Sequence, residues 1–264
     1  SGLPSNWIVG LYKSSDGSYW VGTRQGLAQG ARTQFDSFNT TNARLSHNHI
    51  NAIHQDQAGN LWVGTQDGLN RLAPGATQFD WFNSVNTPNL GSDQVMSLTS
   101  QNDLLWVGTF DEGLYRMDTS SGEMLQVALD PDNPFALQAP GVTSLLAHSS
   151  GNIVATTFGG GTAVVDSSGR VVRVIRSALD EYVNDFPITM AEDPSGSILI
   201  GMSQSLGIIN PALDDISTVL LNNAPLGAKL GAGTTIIDIE IEPSGALLLG
   251  TNDAGVYRLE RNGA

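Results

Sequence analysis

Asn60-Leu61-Trp62-Val63-Gly64-Thr65-Gln66-Asp67-Gly68-Leu69-Asn70-Arg71-Leu72 reads as an apolar strand, a tight turn at Gln66-Asp67-Gly68 and a second strand. Nearly the same text stands earlier as Tyr19-Trp20-Val21-Gly22-Thr23-Arg24-Gln25-Gly26-Leu27. It returns as Leu105-Trp106-Val107-Gly108-Thr109-Phe110-Asp111-Glu112-Gly113-Leu114-Tyr115-Arg116. Looser copies run from Ile153 to Val165, Ile198 to Ile209 and Leu247 to Leu259. The glycine that closes the first strand, or the Thr156 that replaces it, falls at positions 22, 64, 108, 156, 201 and 250. Six occurrences at intervals of 42 to 49 residues are an internal repeat, and a repeat settles the architecture before any local assignment.

Within the second unit, Ile50-Asn51-Ala52-Ile53 alternates apolar and polar, as a half-buried strand does. Asp56-Gln57-Ala58-Gly59-Asn60 is turn chemistry. Leu61 to Thr65 is almost continuously apolar, as expected for a strand covered on both faces. Strands at Leu69 to Ala73 and Gln78 to Phe82 flank a turn at Pro74-Gly75-Ala76, and a long polar connection follows from Asn83 to Gln94. Four strands, A to D, in about 45 residues predict a β-propeller blade. The chain is therefore expected to be all-β and a single domain over residues 1–264, with repeats near 3–45, 46–91, 92–139, 140–186, 187–233 and 234–264. The last repeat stops after strand C. Two architectures satisfy this pattern: a closed six-bladed ring whose last blade lacks its outer strand, or an incomplete seven-bladed propeller. No stretch keeps a helical apolar period, and only Leu179 to Val183 suits a short helical turn.

With 26 acidic and 12 basic residues among 264, the formal charge is −14. Nucleic acid or an anionic membrane surface demands clustered Lys and Arg, so neither partner is expected. The absence of cysteine removes disulfides, thiolate metal sites and cysteine nucleophiles together. No apolar run approaches the length of a membrane span, and no charged-then-apolar signal segment opens the chain. A start at Ser1-Gly2 rather than Met reads as an excerpt of a longer protein.

Leu45-Ser46-His47-Asn48-His49-Ile50 leads into Ile53, Asp56 and Gly59, and then into Leu-Trp-Val-Gly-Thr-x-x-Gly-Leu. With that series the second unit resembles the two-component regulator propeller repeat. The first and third units resemble it well, the fifth and sixth in part, and the fourth, which lacks both Trp and Gly, least. The resemblance implies a β-propeller on the periplasmic or extracellular side of a bacterial inner membrane protein. There it would form the sensor region of a hybrid histidine kinase or a diguanylate cyclase, with the output on a segment outside this chain. It implies a small-molecule ligand, for several members an oligosaccharide released from a polysaccharide, and allows a homodimer in the full receptor. No invariant binding residue comes with the repeat. Such propellers usually have seven blades, one more than is counted here.

Trp20, Trp62 and Trp106 share one position of strand B, next to Gly22, Gly64 and Gly108. Recurrence inside an apolar strand points to packing between blades rather than to exposed sugar-stacking faces. Asp56, Asp193 and Glu242 each stand three residues before a turn glycine. A general acid or base would be singular, so these read as turn residues that accept backbone amides. Ser14-Ser15-Asp16-Gly17-Ser18-Tyr19-Trp20 looks like a sialidase Asp-box, but is one residue short and occurs once. Gly159-Gly160-Gly161 precedes a strand rather than a helix, which does not suit a phosphate loop. Of the histidines at 47, 49, 54 and 148, only His47 and His49 share a loop, and neither they nor the acidic loops show metal-ligand spacing. No metal and no cofactor is expected.

The ligand is expected on the face that carries the B–C turns and the D–A connections, where loops are longer than folding requires. Candidate contacts are Arg24, His47, His49, Asp67, Asp111, Glu112, Phe135, Tyr182, Asp185 and Phe186. Acids at Asp67, Asp93, Asp111, Glu112, Asp130, Asp132, Asp180, Glu181, Asp185 and Asp253 outnumber Arg24, Arg44 and Lys229 on that face. That balance predicts a neutral or cationic ligand, most simply a neutral oligosaccharide stacked on Phe135, Tyr182 or Phe186. Non-enzymatic ligand sensing is the expected function. A propeller glycan lyase or hydrolase, or a structural dimerisation module, is the alternative.

Overall fold

Each repeat alternates short apolar runs with residues that turn the chain, so the local product is a meander of antiparallel strands. A computed structural model of the chain describes residues 2–14, 17–31, 34–176, 187–203, 205–217 and 234–260, and the backbone alone at 218–220. The fold is a β-propeller of six blades, each a separate sheet, with strands A to D in chain order in the first five. Blade 1 comprises Ile8–Lys13, Tyr19–Thr23, Gly26–Ala31 and Gln34–Phe38. Blade 2 comprises Ile50–Gln55, Leu61–Thr65, Gly68–Leu72 and Asp80–Phe82. Blade 3 comprises Val95–Gln101, Leu104–Thr109, Leu114–Asp118 and Met124–Gln126. Blade 4 comprises Val142–Ala147, Ile153–Thr157, Gly161–Val165 and Val171–Ile175. Blade 5 comprises Thr189–Glu192, Ile198–Gly201, Ser205–Ile209 and Ile216–Leu220. Among the described residues blade 6 has three strands, Ile236–Ile241, Leu247–Thr251 and Val256–Leu259. The described residues contain no helix, and Leu179 to Val183 lies outside them. By packing, the chain divides into two compact units, residues 1–127 with 140–142 and residues 128–139 with 143–264.

The A–B turn of blade 2 shows why these sheets form where they do. Gly59 adopts φ 85°, a backbone conformation that only glycine takes without strain. Its amide donates to the Asp56 carbonyl at 3.0 Å. The Asp56 carboxylate accepts from the Asn60 amide at 2.8 Å, from Asn60 Nδ2 at 2.9 Å and from Trp62 Nε1 at 2.7 Å. One buried acid therefore closes the turn and fixes the indole. Asp193 closes its own turn in the same way, accepting from the amides of Ser195 and Ser197 at 2.9 and 3.0 Å. Glu242 departs from the pattern, because its longer side chain pairs with Arg258 at 2.7 Å instead. At the corresponding place in blade 4, His148 Nδ1 accepts from the Ser150 amide at 3.1 Å and its Nε2 donates to the Gly196 carbonyl of blade 5 at 2.9 Å. Blade 3 has a two-residue turn at Asn102-Asp103 with no such acid. The Nε1 of its buried Trp106 has no hydrogen-bond partner among the described residues.

Blades dock by a repeated knob-and-seat arrangement. Trp20 and Leu27 of blade 1 pack on Leu61, Val63 and Leu72 of blade 2. Trp62 and Leu69 pack in turn on Leu105, Val107 and Met117 of blade 3. Val154 packs on Ile198 and Ile200, and Leu199 on Leu247 and Leu249, so aliphatic residues fill the tryptophan's role in the second unit. The marker glycine is the seat. A Cβ added to Gly64 would stand 2.6 Å from Val95 Cγ1, and one added to Gly22 would stand 2.9 Å from Ile50 Cγ2. Gly201 seats Ile236 in the same manner, at 2.7 Å. Strand D of blade 2 begins at Asp80 rather than Gln78 for a related reason. The Phe79 amide donates to the Ala43 carbonyl at 3.0 Å and its ring is buried between blades 1 and 2, which draws it off the ladder.

Two blade faces carry exposed apolar residues. Ile8 pairs with Thr23 as Ile50 pairs with Thr65 and Val95 with Thr109, yet Ile8 is 40% exposed where Ile50 and Val95 are fully buried. Leu11, beside it, is 68% exposed. On blade 6, Val256 pairs with Gly250 as Leu69 pairs with Gly64, and it is 73% exposed where Leu69 is fully buried. The atoms nearest to a Cβ on Gly250 belong to Asp238 of its own blade, where Gly64 and Gly201 meet a side chain of the next blade.

Leu11→Lys is expected to change stability by no more than ~0.5 kcal/mol, whereas Leu61→Lys, in a filled seat, should cost at least ~2–5 kcal/mol. Chemical denaturation of the two variants reads the difference, and equal losses would mean that the blade 1 face is covered. Asp56→Ala should cost ~1–3 kcal/mol, because it leaves the Trp62 indole N–H unpaired in the core. The exposed Asp103→Ala serves as the control and should stay within ~0.5 kcal/mol of wild type.

Candidate ligand-binding face

The threonine of Trp-Val-Gly-Thr builds the loop face. Buried Thr23, Thr65 and Thr109 donate from Oγ1 to the carbonyls of Gly26, Gly68 and Gly113 at 2.7, 2.9 and 2.8 Å. The same oxygens accept from the amides of Gln25, Asp67 and Glu112 at 3.1, 3.1 and 3.2 Å. Each B–C turn is thereby clamped from below. Arg24, Asp67 and Glu112 thus stand on fixed backbone with their side chains left over for other work. Thr157 and Thr251 clamp the corresponding turns of the second unit.

The first unit gathers two groups of candidates. In one, the Arg24 guanidinium lies 3.7 Å above the ring of the exposed Trp7, and the Arg24 amide donates to the Trp7 carbonyl at 3.3 Å. The His49 amide donates to His47 Nδ1 at 2.9 Å. The His49 imidazole is held below its ordinary range, chiefly by burial and then by the charges of Arg24 and His47. Arg24, His47 and His49 therefore form one basic neighbourhood. Arg24 has no carboxylate partner among the described residues.

The second group lines a cavity of about 400 Å³ made by Thr40, Arg44, Ser46, Asp67, Trp81 and Asn83, with Leu45 at its base. Arg44 sits between buried Ala43 and Leu45 with φ 57°, a left-handed position that leaves its side chain exposed. Ser46 is committed, with its hydroxyl 2.9 Å from Thr65 Oγ1 and accepting from Asn70 Nδ2 at 2.9 Å. Asn83 is committed as well, its Oδ1 accepting from the Val85 and Asn86 amides. The Arg44 guanidinium, the Asp67 carboxylate and the Thr40 hydroxyl have no partner among the described residues. Trp81 forms a wall and is 37% exposed.

Several acids expected to face a ligand are instead bracing loops. Asp93 accepts from the Ser84 amide and hydroxyl at 2.7 and 3.0 Å, Asp111 accepts from the Ser92 hydroxyl, and Asp130 accepts from the Asp132 amide at 3.1 Å. Glu112 stands near Tyr115, whose hydroxyl is pushed up chiefly by burial and accepts from the Gly91 amide at 3.1 Å. Phe135 is not with these groups. It is 65% exposed and borders a hollow of about 360 Å³ with Arg170, Val171 and Val172, at the outer strand of blade 4. Ser15, Asp16, Asp180, Glu181, Tyr182, Asp185, Phe186 and Lys229 lie outside the described residues. His54 is engaged with Ser100 Oγ at 2.7 Å. Among the described residues, no three His, Cys, Asp or Glu side chains converge as metal ligands would.

Trp81, Arg44, Thr40 and Asn83 did not stand out as contacts in the sequence. One signal was available for Trp81. Its counterpart in blade 1, by the register with strand C, is Ser37, so this large aromatic breaks the repeat where packing does not require it.

Arg24→Gln is expected to move the His49 titration midpoint upward, because the second of the charges holding it down is lost while burial remains. Imidazole NMR reads this directly, and an unmoved midpoint would place the guanidinium elsewhere.

The two-component regulator propeller family matches the chain at residues 2–25 and 44–67. No curated protein sequence matches it. Among solved structures, the chain is similar to the extracellular domain of BT4673 from B. thetaiotaomicron, described as a hybrid two-component system. The TM-score is 0.77 and the identity 18%, over 100% of this chain and 33% of that one. For the corresponding domain of BT3049 from the same organism the figures are 0.76 and 19%, over 98% and 34%. Similarity to virginiamycin B lyase from Staphylococcus aureus is lower, with a TM-score of 0.66 and 10% identity over 98% of this chain and 85% of that one. The chain spans about a third of the length of the two extracellular domains, and at these identities the likeness is one of fold. Fold and repeat agree: the chain is a β-propeller that carries, at residues 2–25 and 44–67, repeats of the two-component regulator propeller family.

Proposed function

We propose that the chain is an extracytoplasmic ligand-sensing domain of a bacterial signalling receptor, and that it reads an oligosaccharide on the loop face of its first three blades. The observation that carries this reading is the 400 Å³ cavity in which the unpaired Arg44, Asp67 and Thr40 side chains meet the exposed ring of Trp81. A sugar offers an apolar C–H face for an indole and vicinal hydroxyls that donate to a carboxylate and accept from a guanidinium. The cavity sets polar side chains around one aromatic wall, a lining that suits a polyhydroxylated ligand with an apolar C–H face. Asp67 and Arg44 together leave the cavity close to neutral, which suits an uncharged sugar. The family repeat and the similarity to extracellular domains of two-component systems support a sensory role outside the cytoplasm. No helix among the described residues is long and apolar enough to cross a membrane.

Calorimetric titration with neutral and uronic-acid oligosaccharides tests the reading, with the products examined for cleavage. Neutral sugars are expected to bind and to be recovered intact. Trp81→Ala should weaken binding about tenfold or more, the equivalent of ~1.4 kcal/mol, without lowering the melting temperature appreciably. Recovery of shortened sugars would favour a lyase or hydrolase. Unchanged affinity in Trp81→Ala would remove the site.

A further inference from the structure

We propose that Trp81 is the wall shared by two adjacent saccharide subsites, so that the ligand is a chain of at least two sugar rings running outward across the rim of blade 2. This rests on the cavity reading above and extends it. A second hollow, of about 520 Å³, opens on Trp81 and is bordered by Phe82, Pro88, Asn89, Glu123 and Met124. The two hollows together exceed what one sugar needs, and each lies within the ~300–1,000 Å³ usual for small-ligand sites. They meet at a single residue, the exposed indole. An aromatic ring between two cavities can stack with one sugar and touch the edge of the next.

The second hollow is shaped by fixed elements. Asn83 caps the connection that follows strand D of blade 2, and the Thr87 amide donates to its carbonyl at 2.7 Å. Leu90 is fully buried between blades 2 and 3, its amide donating to the Thr87 carbonyl at 2.8 Å, which pins the segment in place. Asn89 stands beside it and reaches the Met124 carbonyl through Nδ2 at 3.3 Å, leaving its Oδ1 free to accept. The Glu123 carboxylate has no hydrogen-bond or ion-pair partner among the described residues. The buried Met124 and the Phe82 and Pro88 side chains supply the apolar floor that a sugar's C–H face prefers. The composition repeats that of the first cavity: an unpaired carboxylate, an amide and the same indole.

The test is the dependence of affinity on chain length. Gluco-, manno- and xylo-oligosaccharides of one to six residues are titrated into the full chain. In the series that binds, affinity should rise at least tenfold between the monosaccharide and the di- or trisaccharide, and then level. Asn89→Ala combined with Glu123→Gln should cost at least fivefold more for the trisaccharide than for the monosaccharide. Asp67→Asn should lower affinity by a similar factor at every length. Length-independent binding that is still weakened by Trp81→Ala would overturn the second subsite and leave the first reading standing. Failure of all three series to bind would overturn both.

Discussion

The close approach of neighbouring blades at the marker glycine is the constraint on which the rest of this structure depends. A β-branched residue at the start of one blade's inner strand rests where the glycine of the preceding blade has no side chain, as Val95 rests on Gly64 and Ile236 on Gly201. That contact sets the spacing at which Trp62 reaches Leu105 and Val107 and at which Leu199 reaches Leu247 and Leu249. Burial of apolar surface supplies the stabilisation, but the missing Cβ decides how near the sheets can come. Nearest-neighbour packing of this kind makes stability a sum of like interfaces. It also leaves each end of the series with an apolar face shaped for a neighbour, here around Ile8 and Leu11 on blade 1 and Val256 on blade 6.

The same five-residue strand divides the labour between stability and recognition. Its tryptophan and valine pack, its glycine seats, and its threonine clamps the turn beyond. Because the clamp satisfies the turn's backbone, the side chains of Arg24, Asp67 and Glu112 are not needed to hold their turns. Arg24, Asp67 and Glu112 occupy equivalent turns yet differ in charge and shape, a variation that loops tolerate without a change of fold.

Within the site, the sequence was legible where a residue type and its position carried the same message, and misleading where they did not. Arg24, His47 and His49 were each named as candidate contacts, and the charges of Arg24 and His47 both act on the His49 imidazole. The acids were counted as ligand contacts because they are polar and in loops. Asp93 and Asp111 are instead consumed by Ser84 and Ser92, partners several to many residues away whose proximity exists only in the folded chain. Phe135 belonged to a long connection, and the path of that connection along the outer strand of blade 4 could not be read from its length. Trp81 was hidden by the three repeated tryptophans, which gave every indole the look of a core residue.

The sequence by itself determined the number of blades, the strand order within each and the identity of the packing positions. These follow from periodicity, and a pattern repeated six times at intervals of 42 to 49 residues reads as a series of like sheets. It also showed the repeat pattern running only to strand C in blade 6, where three strands are found among the described residues. Only the tertiary structure decided which polar groups are spent and which remain available. That depends on distances between residues far apart in the chain, such as Asn70 on Ser46 and Ser84 on Asp93. It alone decided that Arg44, pinned in a left-handed conformation between two buried neighbours, faces the same cavity as Asp67 and Trp81. A repeat encodes what every blade shares, whereas a binding site is made from what each blade does differently.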